Sequence, residues 1–339
     1  MLEENSCIIC HKTAKLVLEE FNGYAEDQKF NIYYCPSCNT SFVWPHQVSQ
    51  DIYNHIYSQA NVIPGYNRYA LYAKEIRNKK NPLDYLAGKE AVYYAVKETL
   101  LGTKDKTIQI LEVGSGLGYL TYAIAREGYD IKGIDISEDA VKKATGRFGN
   151  YYMCDDVYHF AASHIEQFDL IILTEVIEHV PEADSFCNIL IQLLKDNGKL
   201  LISTPNKSAH PPNVYWYTEL PPVHLTWFSE ETFKKIAEQK ELFVSFFDFT
   251  KFNKRHLDFT KFKYYDWYMK RHPMLPTINK TGVVLKPAVL YEQNIFKKLK
   301  FFVKSFFKLI LERIVIRSPL VNKKHFGRST FLVVILQKI

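Results

Sequence analysis

The chain has 339 residues, of which 47% are hydrophobic and 15% aromatic, and its formal net charge is +6. This composition excludes a disordered chain, and the length suits one large domain with additions. The first residues, MLEENSC, are acidic and polar, so they show no signal peptide, and no stretch is apolar for long enough to span a bilayer. We therefore expect a cytoplasmic protein whose cysteines are reduced.

Four of the six cysteines form two C-x-x-C pairs near the start of the chain, Cys7 with Cys10 and Cys35 with Cys38. In a reducing compartment, two such pairs fit tetrahedral coordination of zinc by four thiolates. We predict a zinc ribbon over residues 1–45, in which a structural zinc holds a segment with too little core of its own. A redox pair or four unrelated cysteines are the alternatives.

The middle of the chain alternates between strand and helix patterns. Residues 46–105 are rich in Tyr, Asn and Lys, and they predict helices that lead into the next segment and cover its site. Strands are then predicted at 107–113, 130–135, 151–155, 168–174, 198–204 and 242–250, and helices at 118–127, 137–147, 182–195 and 229–240. This alternation predicts an α/β fold, a doubly wound sheet with helices on both faces.

A seventh strand is predicted at the end of the chain, over 329–336, so residues 251–328 form an insertion before it. The insertion carries 19 Lys and Arg against four acids, a net charge of +15, whereas the rest of the chain sums to −9. Its segment 293–317 places bulky apolar residues on one helix face and lysines on another. Three interpretations stay open: contact with an anionic membrane surface, ordinary packing on the domain, and RNA binding.

A glycine-rich loop follows the first strand of this region. It has the pattern E-x-G-x-G-x-G, in which Glu112 precedes Gly114, Gly116 and Gly118. Glycines at this place let the backbone approach a ligand and present helix N-terminal N–H groups to it. The next strand ends at Asp135, which is placed to accept hydrogen bonds from two ribose hydroxyls. The loop therefore predicts a pocket for an adenosine-containing cofactor.

The glycine loop with its paired acid resembles the first motif of class I S-adenosylmethionine (SAM) methyltransferases. The resemblance implies a seven-stranded Rossmann-like sheet, with Glu112 and the glycines at the methionine end of SAM and Asp135 at its ribose. It also implies an acid after the third strand that binds the adenine amino group. Asp155 fits this position, and its neighbour Asp156 is the alternative.

The segment TEVIEHV, after the fourth predicted strand, resembles the E/D-x-x-E-H segment of ubiquinone-pathway O-methyltransferases and their small-molecule relatives of the methyltransferase-23 type. If it is helical, Glu175, Glu178 and His179 share a face. They could hold a divalent metal, or position an acceptor hydroxyl and take its proton. Small-RNA 2′-O-methyltransferases are similar here and add a downstream histidine, which would be His224. A structural role for both histidines is the third interpretation.

Together these resemblances, which run from Cys7 to about residue 249, imply a SAM-dependent methyltransferase. We expect the acceptor to be an oxygen of a small molecule, sugar or lipid-linked compound, because the pattern N/D-P-P-Y/F that grips exocyclic amines is missing. The alternatives are an RNA methyltransferase that grips phosphates through the ribbon and the insertion, and a SAM-binding subunit without catalysis. The predicted methyltransferase domain comprises residues 106–250 and 329–339, and the insertion could hold the protein on the inner face of the membrane.

Overall fold

The computed structural model describes residues 4–103, 105–209, 220–255, 276–285, 327 and 329–339. Its named strands form two sheets, one of five strands and one of seven. The smaller sheet contains the first four strands of the chain, and the larger one is built from strands that follow residue 108.

The smaller sheet, which we call the ribbon sheet, begins as an antiparallel meander. Its strands are β1 (Glu4–Ser6), β2 (Thr13–Asn22), β3 (Lys29–Cys35) and β4 (Thr40–Trp44). The fifth strand, β10 (Thr226–Trp227), comes from far along the chain and pairs antiparallel with β4. The sheet therefore extends beyond the predicted ribbon segment.

The larger sheet has the strand order β11-β12-β9-β8-β5-β6-β7. The strands are β5 (Gln109–Val113), β6 (Asp130–Asp135), β7 (Tyr152–Cys154), β8 (Phe168–Thr174), β9 (Leu194–Pro205), β11 (Phe243–Phe246) and β12 (Phe331–Gln337). Strands β5 to β9 run parallel, whereas β12 lies antiparallel between β9 and β11. Buried apolar residues cover both faces, as a doubly wound sheet requires. The predicted α/β fold, with its seventh strand at the end of the chain, is confirmed.

Helices connect and cover these strands. They are α1 (Gln50–Ser58), α2 (Asn67–Glu75), α3 (Pro82–Ala87), α4 (Ala91–Thr103), α5 (Tyr119–Arg126), α6 (Glu138–Phe148), α7 (Val157–Ala161), α8 (Ala183–Leu193), α9 (Glu230–Gln239) and α10 (Thr250–Arg255). Local sequence explains where two of the helices begin. The Ser137 side chain accepts a hydrogen bond from the Ala140 N–H at the start of α6, and Ser229 forms a capping box with Thr232 at the start of α9.

One predicted boundary differs from the structure for a clear reason. The strand predicted at 242–250 ends at Phe246, and α10 begins at Thr250. The Asp248 side chain accepts hydrogen bonds from the backbone N–H and the hydroxyl of Thr250, at 2.8 and 2.6 Å. This local bond competes with the strand ladder and starts a helix instead.

Parts of the predicted insertion contact the ribbon sheet. Residues 276–285 lie against the β2–β3 turn, where the N–H groups of Thr277 and Ile278 both donate to the Tyr24 carbonyl at 2.8 and 3.1 Å. The Gln59 side chain after α1 donates to the Gly282 carbonyl at 2.8 Å. The amphipathic segment 293–317 lies outside the described residues. Among the residues that the structure does describe, no helix has the length and apolar character needed to cross a membrane.

Candidate active site

The glycine loop turns from β5 into α5 through three residues with positive φ. Gly114, Gly116 and Gly118 have φ values of +76°, +49° and +78°, which side-chain-bearing residues rarely adopt. A Cβ on Gly114 would lie 2.4 Å from Cγ2 of Val176, and one on Gly118 would lie 2.6 Å from the ring of Tyr152. A Cβ on Gly116 would meet no described atom within 4 Å. The loop therefore leaves room for a ligand at Gly116.

Asp135, at the end of β6, faces this loop. Its Oδ2 accepts the Gly116 N–H at 2.7 Å and its Oδ1 accepts the Ser137 N–H at 2.9 Å. Burial raises the pKa of this carboxyl, and the two N–H bonds oppose the shift. A carboxylate has about four acceptor positions, so two stay available for hydroxyl groups. The next residue, Ile136, is 74% exposed, an apolar surface beside the pocket that our sequence analysis missed.

Glu112 lies below the glycine loop in the sheet core and is only 2% exposed. The Thr121 hydroxyl donates to its Oε2. Burial raises the pKa of this carboxyl to about 8, against the lowering effect of Thr121. Such a group is protonated near pH 7 until a cation arrives beside it, and a bound ammonium would favour its ionised form.

The acids after β7 have different partners. The Asp155 N–H donates to the Asp135 carbonyl at 3.1 Å, so this residue lies beside the ribose-binding candidate. Its Oδ1 lies 2.7 Å from Nδ1 of His159. Asp156 instead caps α7, where its Oδ1 accepts the Tyr158 N–H at 2.7 Å. Since Asp156 is used as a helix cap, Asp155 is the better candidate for the adenine amino group.

A second set of polar side chains lies after β8. Ligand atoms of Glu178, His179 and His224 all lie within 4.8 Å of one another, and the two imidazole centroids are 4.7 Å apart. His179 Nδ1 donates to the Val223 carbonyl at 2.6 Å, because a carbonyl oxygen only accepts. Its Nε2 is therefore the nitrogen with a lone pair. The structure thus brings together three residues that lie up to 46 positions apart in sequence.

Burial disfavours the charged form of both imidazoles. Burial lowers the pKa of His179. Burial also lowers the pKa of His224 well below its usual value, and the neighbouring His179 adds to this effect. The Nδ1 atom of His224 has no hydrogen-bond partner among the described residues. A buried nitrogen of this kind is available to a ligand, a metal ion or an exchangeable proton.

Glu175 does not join this set, because the segment is not one helix on which positions 175, 178 and 179 would share a face. Only Ile177–His179 form a short 3₁₀ helix. Glu175 precedes it with a φ of +53°, and its N–H donates to the Ser203 carbonyl at 3.0 Å. Its backbone still follows the β8–β9 pairing, and its carboxylate is held by Arg68 and Tyr69, although its charge still raises the pKa of His179.

The Glu175 carboxylate instead belongs to a network that our sequence analysis missed. Arg68 Nη2 donates to both of its oxygens, at 3.1 and 3.3 Å, and the Tyr69 hydroxyl donates to Oε2. Arg68 Nε also lies 3.0 Å from Glu90 Oε1, which accepts the Tyr72 hydroxyl at 2.6 Å. One cation is thus shared by two carboxylates. The tyrosine-rich composition of residues 46–105 was the one sequence signal for it.

The four N-terminal cysteines form a compact buried cluster. Their sulfurs lie within 4.8 Å of one another, with Cys7 and Cys38 3.6 Å apart and Cys10 and Cys35 3.5 Å apart. A tetrahedral zinc with bonds of about 2.3 Å separates its sulfurs by about 3.8 Å, so the cluster has the dimensions of such a site.

The backbone around the cysteine pairs repeats one geometry. The His11 N–H donates to the Cys7 carbonyl at 3.0 Å, and the Asn39 N–H donates to the Cys35 carbonyl at 2.9 Å. His11 and Asn39 both have a φ of +56°. Each C-x-x-C pair is therefore a tight knuckle that turns both thiols to the same side. The donor set and its geometry fit a structural zinc.

Comparison with known proteins agrees with this geometry. The family model described as a methyltransferase domain, Methyltransf_23, matches residues 86–243. The chain therefore carries a methyltransferase domain over this range. The matched range contains the glycine loop, Asp135 and the segment with Glu178 and His179.

Individual relatives match shorter or longer parts of the chain. The ubiquinone biosynthesis O-methyltransferase of Salmonella enteritidis PT4 is 32% identical over 106 residues, and that of Salmonella arizonae is 31% identical over the same length. These matches cover 30% of this chain and 44% of each relative, so the chain spans less than half of the curated relatives. A SAM dependent methyltransferase structure from Archaeoglobus fulgidus covers 80% of this chain and 99% of its own, with 16% identity and a TM-score of 0.44.

Proposed function

We propose that this protein transfers the methyl group of SAM to an oxygen of a small-molecule, sugar or lipid-linked acceptor. The observation that carries the proposal is the contact between the glycine loop and the acceptor segment. The site of a Gly114 Cβ lies 2.4 Å from Val176, two residues before Glu178. This contact supports a single site that contains both the predicted cofactor loop and the group of Glu178, His179 and His224.

The cofactor half is assigned by chemistry. SAM, when bound, supplies a methyl group on a sulfonium that is already activated for transfer. Gly116 leaves the space that the methionine end needs, and Glu112 is placed below the loop for its ammonium. Asp135 has acceptor positions for the ribose hydroxyls, and Asp155 accepts from the adenine amino group. Ile136 offers an apolar surface beside them.

The acceptor half contains a general base and side chains that orient the acceptor. The acceptor oxygen forms a bond to the methyl carbon as the carbon–sulfur bond breaks, and that electron pair stays on sulfur. The acceptor proton goes to His179 Nε2, which holds a lone pair because Nδ1 donates to Val223. His224 is the second base candidate, and Glu178 orients the acceptor hydroxyl. Because the leaving group is activated, alignment supplies most of the rate.

A divalent metal at the acceptor half is the second mechanism that the geometry supports. Glu178, His179 and His224 offer one carboxylate and two imidazole nitrogens within 4.8 Å. A ligating histidine usually donates its other nitrogen to a carbonyl, as His179 does to Val223. Glu175, which the sequence also offered as a ligand, is bound to Arg68 instead. Three protein ligands would leave open positions for acceptor hydroxyls.

The relatives, rather than the pocket, support the proposed acceptor class. The matched relatives are O-methyltransferases of ubiquinone biosynthesis, which supports a small-molecule oxygen acceptor. The relatives give no support to the RNA-methylating alternative. Contact of residues 293–317 with a membrane stays a proposal that would bring lipid-linked acceptors to the site.

The test is transfer of a labelled methyl group from SAM to a panel of phenols, sugars and isoprenoid-linked hydroxy compounds. We expect a methylated oxygen in at least one product, identified by mass spectrometry and NMR. Label on nitrogen or carbon, or on none of the acceptors, would contradict the proposal. A parallel reaction with EDTA separates the mechanisms: an unchanged rate excludes the divalent metal, and a loss restored by Mg²⁺ or Zn²⁺ supports it.

A further inference from the structure

We infer that the ribbon sheet positions His224, so that metal bound by the four cysteines supports the acceptor half of the active site. We call residues 220–228 the histidine loop. The consequence for methyl transfer rests on the proposed function, whereas the mechanical link between ribbon and loop stands on contacts alone. The ribbon is then a part of the catalytic domain rather than an appended module.

The first link is a shared sheet. Strand β10 lies inside the histidine loop and pairs with β4, where Thr226 is opposite Phe42. The Val43 N–H donates to the Leu225 carbonyl at 3.0 Å. His46 Nε2, two residues after β4 ends, lies 3.2 Å from the Thr226 hydroxyl. The residues directly after His224 are therefore held by the ribbon sheet.

The second link joins the same loop to the acceptor segment. The Leu225 N–H donates to the Glu178 carbonyl at 2.8 Å. On the other side of His224, the Val223 carbonyl accepts His179 Nδ1 at 2.6 Å. Val223 and Leu225, the residues on either side of His224, are thus both hydrogen-bonded to the turn that carries Glu178 and His179. The same loop is also bonded to the ribbon sheet through the β4–β10 pairing.

The third link runs from a cysteine knuckle to the end of the histidine loop. The Thr232 hydroxyl has one hydrogen to donate and lies within hydrogen-bond distance of two acceptors, the Cys38 carbonyl at 3.1 Å and the Thr40 hydroxyl at 2.9 Å. Thr232 also forms the capping box with Ser229, the residue that follows the loop. Both threonines are fully buried. Buried hydroxyl networks of this kind fix one arrangement when all members are satisfied.

Metal bound at the knuckle fixes the direction of this network. The Thr40 hydroxyl lies 3.1 Å from Cys38 Sγ, and a metal-bound thiolate only accepts hydrogen bonds. Thr40 therefore donates to the sulfur, and Thr232 donates to Thr40. The Ser229 hydroxyl, 3.5 Å from the Cys38 carbonyl, then takes the place of Thr232 there. The metal thereby secures the start of α9 and the end of the histidine loop.

The apolar core makes the same connection. Ile9, Phe42 and the cysteines belong to one buried cluster with Phe228 and Phe233 of the methyltransferase domain. A segment of about 40 residues rarely folds without a metal or another support. Loss of the metal should therefore loosen the ribbon and, through this shared cluster, the histidine loop.

The test is hydrogen exchange on the full-length protein before and after zinc removal with a strong chelator. We expect exchange of the Trp227 amide to rise by about tenfold or more, since this residue lies in the strand pairing with β4. Amides of residues 108–118 should change by less than about twofold, and SAM affinity should be retained. No change in the loop, or an equal rise at 108–118, would overturn the inference.

A pair of matched variants keeps all four thiolates and isolates the hydroxyl link. Thr40→Val removes the hydroxyl, whereas Thr40→Ser keeps it. The Thr40→Val variant should keep its zinc and its SAM affinity. Its histidine loop should exchange hydrogen faster, and its kcat for methyl transfer should fall. The Thr40→Ser variant should behave as the wild type. Identical behaviour of the two variants would overturn the inference. Hydrogen exchange and zinc content are measured without turnover. If only the proposed function is wrong, these two measurements still give the expected result, and only the expected change in kcat is missing.

Discussion

His179 donates its Nδ1 hydrogen to the carbonyl oxygen of Val223 across 2.6 Å, and this bond decides the chemistry of the ring. It fixes the tautomer, because the carbonyl accepts and cannot donate. It leaves Nε2 with a lone pair beside Glu178 and His224. The pair also ties the acceptor segment to the loop that carries His224.

Replacing His179 tests this role. His179→Ala should lower kcat for methyl transfer by about 10²–10⁴-fold, the usual contribution of a positioned general base. SAM affinity should stay within about threefold, because the residue lies in the acceptor half. The matched control is His164→Ala, a histidine that stacks on Phe160 outside the site. Equal losses of kcat in both variants would show that His179 has no special part in the reaction.

Glu112 predicts how stability and cofactor binding depend on pH. Burial raises the pKa of this carboxyl to about 8 from an ordinary value of 4.5. Between these two pKa values the folded state binds more protons than the unfolded state. The free energy of unfolding therefore falls as the pH rises from about 5 to 8, by up to about 1.4 kcal/mol per pH unit. Denaturant unfolding of Glu112→Gln should lack this component.

The same carboxyl predicts a proton released on SAM binding. An ammonium beside Glu112 favours the ionised carboxylate, so binding near pH 7 should release up to about one proton. Calorimetric titrations in buffers of different ionisation enthalpy measure this number. Proton release that persists in Glu112→Gln would assign it to another group.

Gly116 tests the position of the cofactor. An alanine there has room in the protein itself, since a Cβ meets no described atom within 4 Å, but φ is +49°. Gly116→Ala should cost about 1–2 kcal/mol of stability through the left-handed backbone. It should also weaken SAM binding by about tenfold or more, the equivalent of about 1.4 kcal/mol. The control is Gly128→Ala, which has a φ of +89° but lies after α5.

Gly128→Ala should show a similar loss of stability with unchanged SAM affinity. If Gly116→Ala instead binds SAM as tightly as the wild type, the ligand does not occupy the space at this glycine.

The cysteine cluster predicts the metal content. Purified protein should contain about one equivalent of zinc, measured by plasma mass spectrometry. The double variant Cys35→Ser with Cys38→Ser should lose it and unfold at a lower temperature, because one knuckle is removed. Cys154→Ser, which changes an exposed cysteine outside the cluster, should keep both properties. Full zinc content in the double variant would place the metal elsewhere.

The fold and the cofactor half could be predicted because they depend on local patterns. Apolar strands of β-branched residues, glycines at φ-positive positions and acids at strand ends are visible in a single sequence, and parallel strands bring their carboxyl ends to one edge. The knuckle cysteines were equally visible from their spacing. These features needed no knowledge of long-range contacts.

The acceptor half could be predicted only in part. The separation of Glu175 from His179 depends on its positive φ and on the bond to Ser203, which no helix periodicity reveals. The ion pairs of Arg68 with Glu90 and Glu175 join three distant parts of the chain. The β4–β10 pairing likewise links residues about 180 positions apart. Such contacts follow from tertiary packing and leave no periodic signal.

The central claim is that the glycine loop and Asp135 form a SAM site, and calorimetric titration of SAM tests it most directly. The wild type should bind one SAM, and Asp135→Ala should abolish binding while the protein stays folded by circular dichroism. The control is Asp139→Ala, four residues later, where the carboxylate makes an exposed ion pair with Lys143. It should bind SAM as the wild type does. A wild type that binds no SAM, or an Asp135→Ala variant with unchanged affinity, would contradict the account.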